Sequence, residues 1–484
     1  MSQVVSPPDP DVALLRPLCV DLDGTLVKSD TLIDSLLAFA RSHPARLLAS
    51  LPRLFRGKAA FKAFIAAQAP LDVVHLPYNR KLLQFLHDER TRGRAIYLVT
   101  GADSRLAERV ASHLGIFTGV FSSDGATNLI GARKLDRLRR ALGSHAYDYV
   151  GNDTPDLPLL AHAAQSMIAN PSLRLRLRLR TRRISNTRIF AERANFFLSL
   201  LRALRPHQWA KNLLVFLPLL LAHVTAPNRL LTALLAFACF SLTASSAYIV
   251  NDLFDIEADR RHRQKRLRPF AAGDLSAFSA LVIVALLLLL VLSAVRLLPL
   301  AFYGWLIVYF ATALAYSGFL KRIALVDVLI LSGLYTLRLV AGSAATHSHI
   351  SDWLAGFSVF LFFSLAIVKR FAELENVRTT GTRLMNGRGY LLTDIDQLRS
   401  FGTASAFAAV MVFAIYISGS DVTLLYRRPH LLWLIMPLLI LWLCRVWLLA
   451  SRGQLHEDPL IFALTDRMSL ALGAVVAAIV LLAI

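Results

Sequence analysis

Residues 251–273 read NDLFDIEADRRHRQKRLRPFAAG and follow directly on a long apolar stretch. Asp252, Asp255 and Asp259 are spaced three and then four residues apart. A helix that continues the apolar stretch would therefore place all three carboxylates on one face. Carboxylates stacked in this way repel one another unless cations lie between them, and Mg²⁺ held by a few carboxylates is normally completed by water and substrate phosphates. The spacing predicts a catalytic Mg²⁺ site for a phosphorylated substrate at a helix end.

Basic residues follow these aspartates at once. Six Lys and Arg side chains lie between residues 260 and 268, and they supply donors for further phosphate oxygens. Arg266 and Arg268 are candidate substrate contacts among them. A solvated, charged loop between two membrane helices is the alternative, but carboxylates at the edge of a bilayer are costly and usually functional.

The pattern NDxxDxxxD followed by KRxRPxAAG resembles the first aspartate-rich motif of the UbiA superfamily of intramembrane prenyltransferases. The motif is specific, because it combines three Asp, one Asn and a downstream Arg-Pro at fixed spacing. The resemblance adds Asn251 to the candidate substrate contacts.

The composition indicates a membrane protein that carries a soluble part. Hydrophobic residues make up 56% of the 484 residues, and the mean hydropathy is +0.53, both typical of membrane proteins. The first 170 residues alternate apolar and polar segments, whereas from Lys211 onward apolar runs of about 15 to 23 residues follow one another, enough to span a bilayer. The net charge of +21 suits the cytoplasmic side of a membrane and anionic lipid headgroups, so we expect no nucleic acid partner.

A second motif lies near the amino terminus. Residues 18–20 are a short apolar run that ends in DLDGTL at 21–26, which predicts a buried strand opening into a tight loop. Asp21 and Asp23 would then lie at the carboxyl end of a strand, the usual ligand position in an open α/β sheet. The sequence resembles the haloacid dehalogenase (HAD) superfamily of phosphatases, whose first motif is DxDGT. The resemblance implies that Asp21 forms an aspartyl-phosphate with the substrate, that Asp23 protonates the leaving oxygen and then activates water, and that both belong to a Mg²⁺ site.

Three further motifs of that family follow in order. Thr100, after a predicted strand at 96–99, matches the phosphate-binding residue of the second motif. Lys134 matches the lysine that neutralises the phosphate and the nucleophile. The sequence GNDTPD at 151–156, after a third predicted strand at 147–150, matches the acidic Mg²⁺-binding motif, although the family usually has Gly-Asp where this chain has Gly-Asn. The alternative metal ligands there are Asn152, Asp153 and Asp156.

The sequence therefore predicts two domains. Residues 1–172 would form a Rossmann-like α/β HAD domain, with a helical cap at about 30–92 because amphipathic segments lie between the first two motifs. Residues 173–204, which begin with alternating Leu and Arg, would form a basic linker on the membrane surface and an interfacial helix. Residues 205–484 would form an all-α, polytopic membrane domain of about nine transmembrane helices.

The basic loops indicate the orientation of these spans. The amino terminus has no basic region followed by an apolar core, so we expect the first domain to stay in the cytoplasm. The loops after every second span are then cytoplasmic as well, and they hold nearly all the loop Lys and Arg, as the positive-inside rule requires. We expect spans near residues 212–223, 230–250, 277–295, 298–319, 324–345, 353–367, 404–418, 431–449 and 469–484.

The cytoplasmic side also collects the polar residues of the membrane domain. Asp327 and Arg338 are eleven residues apart, so they share a helix face, and an internal ion pair and direct ligand contact are open alternatives. Asp327 is followed four residues later by Leu331, so the second motif of aromatic prenyltransferases, DxxxD, is incomplete. Cations replace it. The candidate substrate contacts on this side are Lys211, Asn212, Tyr316, Lys321, Arg322, Asp327, Arg338, Lys369 and Arg370.

Five segments narrow the resemblance: RPHQWAKN, YSxxLKR, LRxxAG, KRxxE and EDPLIFALTDR, which are similar to decaprenyl-phosphate phosphoribosyltransferases. That family implies that the aspartate-rich motif and Mg²⁺ hold the diphosphate of phosphoribosyl pyrophosphate, while a polyprenyl phosphate, neutralised by the basic cluster, is the nucleophile. The HAD domain could then remove the 5-phosphate of the product, which readies a pentose donor for cell-wall arabinan. The alternatives are prenyl transfer to an aromatic acceptor, and a HAD domain that serves as a non-catalytic regulatory or docking module.

Overall fold

The computed structural model describes residues 16–50, 58–68, 71–143, 145–182, 184, 188–224, 226–294, 296–380, 389–455 and 458–484. The chain divides into two compact units. The first unit comprises residues 1–203 and 252–282, and the second comprises residues 204–251 and 283–484. The aspartate-rich segment, residues 252–273, therefore belongs to the first unit, although it lies within the predicted membrane domain.

A parallel sheet forms the centre of the first unit. Its six strands lie in the order β3-β2-β1-β4-β5-β6. They are β1 (Leu18–Val20), β2 (Ile96–Asp103), β3 (Gly119–Ser123), β4 (Asp148–Gly151), β5 (Gln165–Ala169) and β6 (Arg188–Phe190). The three residues of β1 are fully buried, as expected for a central parallel strand covered on both faces. The predicted α/β sheet is confirmed, and three of its strands were predicted from the sequence.

Within the described part of residues 16–204, nine α-helices accompany this sheet. They are α1 (Thr31–Ser42), α2 (Pro44–Ser50), α3 (Lys58–Gln68), α4 (Arg80–Thr91), α5 (Ser104–Leu114), α6 (Ala132–Leu142), α7 (Leu157–His162), α8 (Leu173–Thr181) and α9 (Phe196–Leu204). Phe39, Phe61 and Ile65 of α1 and α3 form a small apolar cluster of their own, as a cap does. Helix α4 instead buries Leu82 and Leu86 in the main core, so the cap ends before α4 rather than near residue 92.

The Leu-Arg stretch differs from the predicted linker. Residues 173–181 form helix α8, and Leu175 and Leu179 are buried in a core cluster of the first unit, whereas Leu177 is 56% exposed. Residues four apart share a helix face, so alternate leucines can still supply one apolar contact. Strand β6 then joins the edge of the sheet. The sheet of the first unit thus extends beyond residue 172, to Phe190.

The remaining helices are mostly long and apolar. They are α10 (Leu217–Leu221), α11 (Pro227–Phe254), α12 (Ile256–Arg261), α13 (Ala277–Ser293), α14 (Leu300–Gly318), α15 (Val326–Thr346), α16 (Asp352–Thr380), α17 (Ile395–Ser418), α18 (Ser420–Leu425), α19 (Ile435–Ser451), α20 (Pro459–Thr465) and α21 (Arg467–Ala483). Helix α12 and the first residues of α13 belong to the first unit.

The predicted count of nine spans is not confirmed. Within the described residues, six helices are long and apolar enough to cross a membrane, and a seventh span is counted if α20 and α21, bent by 77°, form one. The predicted first span at 212–223 is a 3₁₀ helix, Pro206–Phe216, followed by the short α10. The predicted third span is α13, whose 17 residues reach about 26 Å, less than the roughly 30 Å of a bilayer core.

Candidate active sites

The DxDGT loop, residues 21–26, follows β1, and the fourth motif follows its neighbour β4. Because the carboxyl ends of parallel strands meet at one sheet edge, these side chains come together. The Lys134 Nζ atom donates to Asp21 Oδ1 at 2.6 Å and lies 3.4 Å from Asp156 Oδ1. The Thr25 hydroxyl donates to Asp21 Oδ2 at 3.0 Å. The predicted nucleophile is therefore in direct contact with the predicted lysine.

Burial sets the acidity of the two motif aspartates. Burial raises the pKa of Asp21 to about 6, although the Lys134 ammonium acts in the opposite direction. Burial also raises the pKa of Asp23 to about 7, and the Asp30 carboxylate adds to this shift. The Asp23 Oδ1 atom accepts a hydrogen bond from the backbone N–H of Thr31 at 2.8 Å. A carboxyl group with a pKa near neutrality suits the acid–base role predicted for Asp23.

The three alternative metal ligands have different surroundings. Asp156 Oδ2 accepts a hydrogen bond from the backbone N–H of Asn152 at 3.1 Å. Asp153 Oδ1 accepts a hydrogen bond from the Ser172 hydroxyl at 2.7 Å. The Asn152 amide lies against Gly24, where an added Cβ would approach its Nδ2 atom to 2.0 Å. Asn152 therefore faces the DxDGT loop, Asp156 lies beside the predicted lysine, and Asp153 is bonded to a residue outside the four motifs.

The second motif and the cap meet at the same edge. Thr100 is fully buried within β2, three residues before the strand ends, and its hydroxyl accepts a hydrogen bond from the backbone N–H of Ala102 at 3.0 Å. Lys62 of α3 donates to the carbonyl of Gly101 at 2.8 Å, and it lines a cavity of about 60 Å³ together with Asp23. Lys62 was not predicted as a site residue, because nothing in its amphipathic helix distinguishes it from a surface lysine.

The aspartate-rich segment is not one continuous helix. Helix α11 ends at Phe254 and α12 begins at Ile256, so the expectation that one continuous helix carries the three carboxylates is wrong. Arg268 brings two of them together, since its Nη1 atom lies 3.2 Å from Asp252 Oδ1 and 2.7 Å from Asp259 Oδ2. Burial raises the pKa of Asp259, against the opposing effect of Arg268. Asp255 instead lies 3.9 Å from Arg41 of α1.

Mg²⁺ fits these oxygen donors only as a partly hydrated ion. Among the described residues, no three His, Cys, Asp or Glu side chains are grouped as a ready metal cage. Mg²⁺ usually binds through one or two carboxylates and completes its shell with water and substrate phosphates. Asp21 with Asn152, and Asp252 with Asp259, supply donors of this kind.

In the second unit, Asp327 belongs to a closed network. Its Oδ2 atom pairs with Arg370 Nε at 2.6 Å, and its Oδ1 atom accepts the Tyr390 hydroxyl. Arg370 also donates to Glu373 at 2.9 Å and to the Tyr316 hydroxyl at 3.0 Å. Both Asp327 and Arg370 are buried. Tyr390 was missed by the sequence analysis, since it lies 63 residues from Asp327 in the chain and carries no local signal.

The alternative of an ion pair between Asp327 and Arg338 is wrong. Eleven helical residues separate the two Cα atoms by about 16 Å along the axis, so sharing a face does not bring them into contact. Arg338 Nε donates to Asn212 Oδ1 at 2.9 Å and its Nη2 to the Tyr309 hydroxyl at 3.2 Å. Its Nη1 donates to the carbonyl of Leu334. The hydrogen-bond partners that the described residues give Arg338 are all neutral.

A third cluster surrounds Asp458. Its Oδ2 atom lies 2.8 Å from Lys211 Nζ and 2.9 Å from Lys369 Nζ, and its Oδ1 accepts the Tyr335 hydroxyl at 3.2 Å. Both lysines are substrate contacts predicted from the sequence. Asp458 was not predicted as a contact, although this residue lies in the segment EDPLIFALTDR. Two predicted cations therefore share one carboxylate, whose side chain is 9% exposed.

Comparisons with known proteins assign both parts of the chain. Residues 212–481, more than half of it, match the UbiA prenyltransferase family. The chain belongs to the UbiA prenyltransferase family. Residues 18–161 match the haloacid dehalogenase-like hydrolases, so a HAD-like domain precedes the UbiA domain. With several apolar helices of spanning length, this is an integral membrane protein.

Individual relatives cover either nearly the whole chain or about half of it. An uncharacterized protein of Sinorhizobium fredii, y4nM, is 36% identical over 95% of this chain and 90% of its own length. A protein of Mycobacterium tuberculosis named decaprenyl-phosphate phosphoribosyltransferase is 34% identical over 47% of this chain and 76% of its own length. A structure of a UbiA homolog from Archaeoglobus fulgidus bound to GPP and Mg²⁺ aligns with 58% of this chain and 99% of its own, at 18% identity and a TM-score of 0.45.

The remaining residues of the UbiA domain that were predicted to contact substrate are less buried. Lys321 Nζ donates to Asn251 Oδ1 at 3.1 Å, which joins two predicted substrate contacts. Arg266 and Arg322 are exposed. Their role as substrate contacts stays a prediction.

Proposed function

We propose that the UbiA domain transfers phosphoribose from phosphoribosyl pyrophosphate to a polyprenyl phosphate. One observation carries this proposal: both carboxylate oxygens of Asp327 are engaged within the protein, by Arg370 and by Tyr390. Transfer of a prenyl group to an aromatic acceptor would need a second aspartate-rich motif, open to Mg²⁺, at this position. The relative from M. tuberculosis carries the name of the proposed reaction.

The aspartate-rich segment would bind the diphosphate of the donor. Asp252 and Asp259 converge on Arg268 and would hold Mg²⁺ with the diphosphate. Bound there, Mg²⁺ would neutralise the charge of the departing pyrophosphate. Arg268 would exchange its carboxylate partners for phosphate oxygens. The bond between the anomeric carbon and the pyrophosphate oxygen breaks, and a bond to an oxygen of the acceptor phosphate forms.

Arg338 is the residue best suited to the acceptor phosphate. Of its five N–H groups, three donate to Asn212, Leu334 and Tyr309, and the described residues give the other two N–H groups no partner. Its charge faces neutral hydrogen-bond partners, whereas Lys211 and Lys369 share the charge of Asp458. A guanidinium binds phosphate through paired hydrogen bonds. The acceptor phosphate would therefore be held in place by Arg338, with the two lysines adding positive charge.

The HAD-like domain would act as a phosphatase on the product. Asp21 would attack the 5-phosphate of the transferred ribose, Lys134 would hold the phosphate, and Asp23 would protonate the departing sugar oxygen. The same Asp23 carboxylate would then take a proton from the water that hydrolyses the aspartyl-phosphate. The contact between Lys134 and Asp21 and the near-neutral pKa of Asp23 support these roles. The result would be a polyprenyl-phosphoryl pentose, a donor for cell-wall arabinan.

Both reactions would take place at the cytoplasmic face of the cell membrane, where phosphoribosyl pyrophosphate is present. Helix α9 supports a position at the membrane surface, because Phe196, Phe197, Leu198 and Leu201 are each more than half exposed. Apolar side chains on such a helix insert among lipid headgroups. The arginines that precede α9 would add attraction to anionic lipids.

The decisive experiment supplies the purified protein with Mg²⁺, labelled phosphoribosyl pyrophosphate and a polyprenyl phosphate, and follows the label by lipid extraction. We expect label in the lipid phase, reduced at least about 100-fold in Asp252→Asn. Glu257→Gln is the matched control, because it removes a carboxylate of the same segment that is paired with Arg261 at the surface. Unlabelled lipid, together with turnover of a prenyl diphosphate and an aromatic acid, would refute the proposal.

A further inference from the structure

Helix α1 contacts both catalytic motifs of the first unit. At its first residue, the backbone N–H of Thr31 donates to Asp23 of the DxDGT loop at 2.8 Å. One turn later, Asp34 Oδ2 accepts a hydrogen bond from Arg260 of α12 at 2.8 Å. In its last turn, Arg41 lies 3.9 Å from Asp255. One twelve-residue helix thus reaches from the phosphatase site to the aspartate-rich segment.

The ion pair of Asp34 and Arg260 is buried, and further hydrogen bonds hold both side chains in place. The two residues are 3% and 6% exposed. Arg260 Nη2 donates to the Ser29 hydroxyl at 3.0 Å, and that hydroxyl donates to Asp34 Oδ2 at 2.7 Å. Arg260 Nε donates to the carbonyl of Ala271 at 3.1 Å. Because the charge of Arg260 is paired with the buried Asp34 carboxylate, its guanidinium is suited to holding the segment in place rather than to binding substrate phosphate.

Weaker contacts flank the buried pair on both sides. Arg261 pairs with Asp72 at 2.8 Å, and Lys28 lies 3.5 Å from Asp274. Gly273, with a φ of +71°, allows the backbone to approach closely, since an added Cβ would lie 2.7 Å from the Cβ of Lys28. Complementary charges therefore fix residues 260–274 to the cap side of the HAD-like domain.

The aspartate-rich segment needs such support. Helix α12 has only six residues, which is too short to be stable without tertiary contacts. Arg260 directly follows Asp259, so a shift of the backbone at Arg260 would displace the carboxylate that converges with Asp252 on Arg268.

We propose that Asp34 and Arg260 are positioning residues for the transferase: they hold Asp259 where it can share Mg²⁺-diphosphate with Asp252. The inference rests on the proposed function of the aspartate-rich segment. It makes the HAD-like domain a structural part of the donor site, in addition to its own reaction. Because coupling between two sites is reciprocal for binding, occupation of the donor site would in turn affect the start of α1 beside Asp23.

The test compares Arg260→Met, Asp34→Asn and Arg260→Lys in the full-length protein. The first readout is binding of pyrophosphate in the presence of Mg²⁺, measured by calorimetry without turnover. We expect its Kd to rise about tenfold in Arg260→Met and Asp34→Asn, and less in Arg260→Lys, which keeps the charge. The second readout is the transferase reaction, in which KM for phosphoribosyl pyrophosphate rises while KM for polyprenyl phosphate stays within about twofold.

Arg92→Met is the control, since it breaks an exposed ion pair with Glu89 at 3.0 Å and leaves the segment untouched. Turnover of a generic phosphomonoester reports that each variant is folded. If Arg260→Met is folded and binds Mg²⁺-pyrophosphate like the wild type, the proposal is wrong. A rise of both KM values, with a lower melting temperature, would also overturn it, because that result indicates general destabilisation. Failure of the wild type to label lipid would instead refute the proposed function, and the calorimetric comparison would still decide the role of the pair.

Discussion

Asn152 is the residue at which the HAD-like domain departs from its family pattern. Its side chain faces the DxDGT loop across Gly24, and an amide oxygen binds Mg²⁺ without the charge of a carboxylate. We expect Asn152→Asp to lower the Mg²⁺ concentration needed for half-maximal phosphatase activity by about tenfold, since ligand charge sets affinity. A Mg²⁺ titration of phosphate release measures this, with the exposed Asn195→Asp as control. An unchanged titration would point to Asp153 or Asp156 as the ligand.

Arg338 offers a second prediction for a single residue. Its guanidinium is 4% exposed and lies about 5 Å from the rings of Phe240, Tyr309 and Tyr335. We expect Arg338→Lys to lower kcat/KM for polyprenyl phosphate by at least about 100-fold, because an ammonium cannot keep the bonds to Asn212 and Tyr309 while binding phosphate. Steady-state kinetics with varied acceptor provides the measurement. Exposed Arg452→Lys should behave as wild type, and equal kinetics for both variants would exclude Arg338 from the acceptor site.

At the scale of elements, helix α8 shows how a regular helix can arise from alternating Leu and Arg. Leu175 and Leu179 lie one turn apart and are buried, while Leu177 points away. We expect Leu175→Ala to destabilise the HAD-like domain by about 2–4 kcal/mol through the cavity it leaves, and Leu177→Ala by less than about 0.5 kcal/mol. The measurement is phosphatase activity of the full chain after heating to a series of temperatures. Equal losses in both variants would mean that α8 is not part of the core.

The sequence predicted those features that depend on local patterns. The motifs predicted Asp21 after a buried strand and Lys134 on a helix, and the two side chains are in contact, because parallel strands bring their carboxyl ends to one edge. Local patterns did not predict where a helix is interrupted, or which residues far apart in the sequence form hydrogen bonds and ion pairs. The turn at Asp255 interrupts a segment whose spacing fits a continuous helix. The pairing of Asp327 with Arg370 and Tyr390 depends on the packing of separate segments, which no spacing within one segment encodes.

Edge strands and short spans escaped prediction for related reasons. Strand β6 has three residues and follows a highly charged stretch, so neither its length nor its flanks signal a strand. Hydropathy predicts a span at residues 212–223, before α11. The structure instead begins this segment with a 3₁₀ helix. The carbonyl oxygen of its Val215 would lie 2.2 Å from a Cβ atom added at Gly342 of α15. This close packing, set by a glycine in another helix, positions Asn212 beside Arg338.

At the scale of the whole molecule, a HAD-like domain and a UbiA domain lie on one chain, and the relative from S. fredii matches over 95% of it. If the phosphatase acts on the product of the transferase, the two steps run in sequence on the same lipid. The wild type should then release a lipid-linked pentose, and its phosphorylated precursor should not accumulate.

The variant Asp21→Asn separates the two steps. Without its nucleophile the phosphatase cannot form an aspartyl-phosphate, whereas the aspartate-rich segment and the cations around Arg338 are unchanged. We expect the rate of label transfer to lipid to stay within about twofold of wild type, while the 5-phosphorylated lipid replaces the dephosphorylated one as the main product. Mass spectrometry of the extracted lipids distinguishes the two species, and Asp88→Asn, at an exposed position on α4, is the control. The same product ratio in wild type and Asp21→Asn would mean that the HAD-like domain does not act on this lipid, and its contribution would then be limited to supporting the donor site.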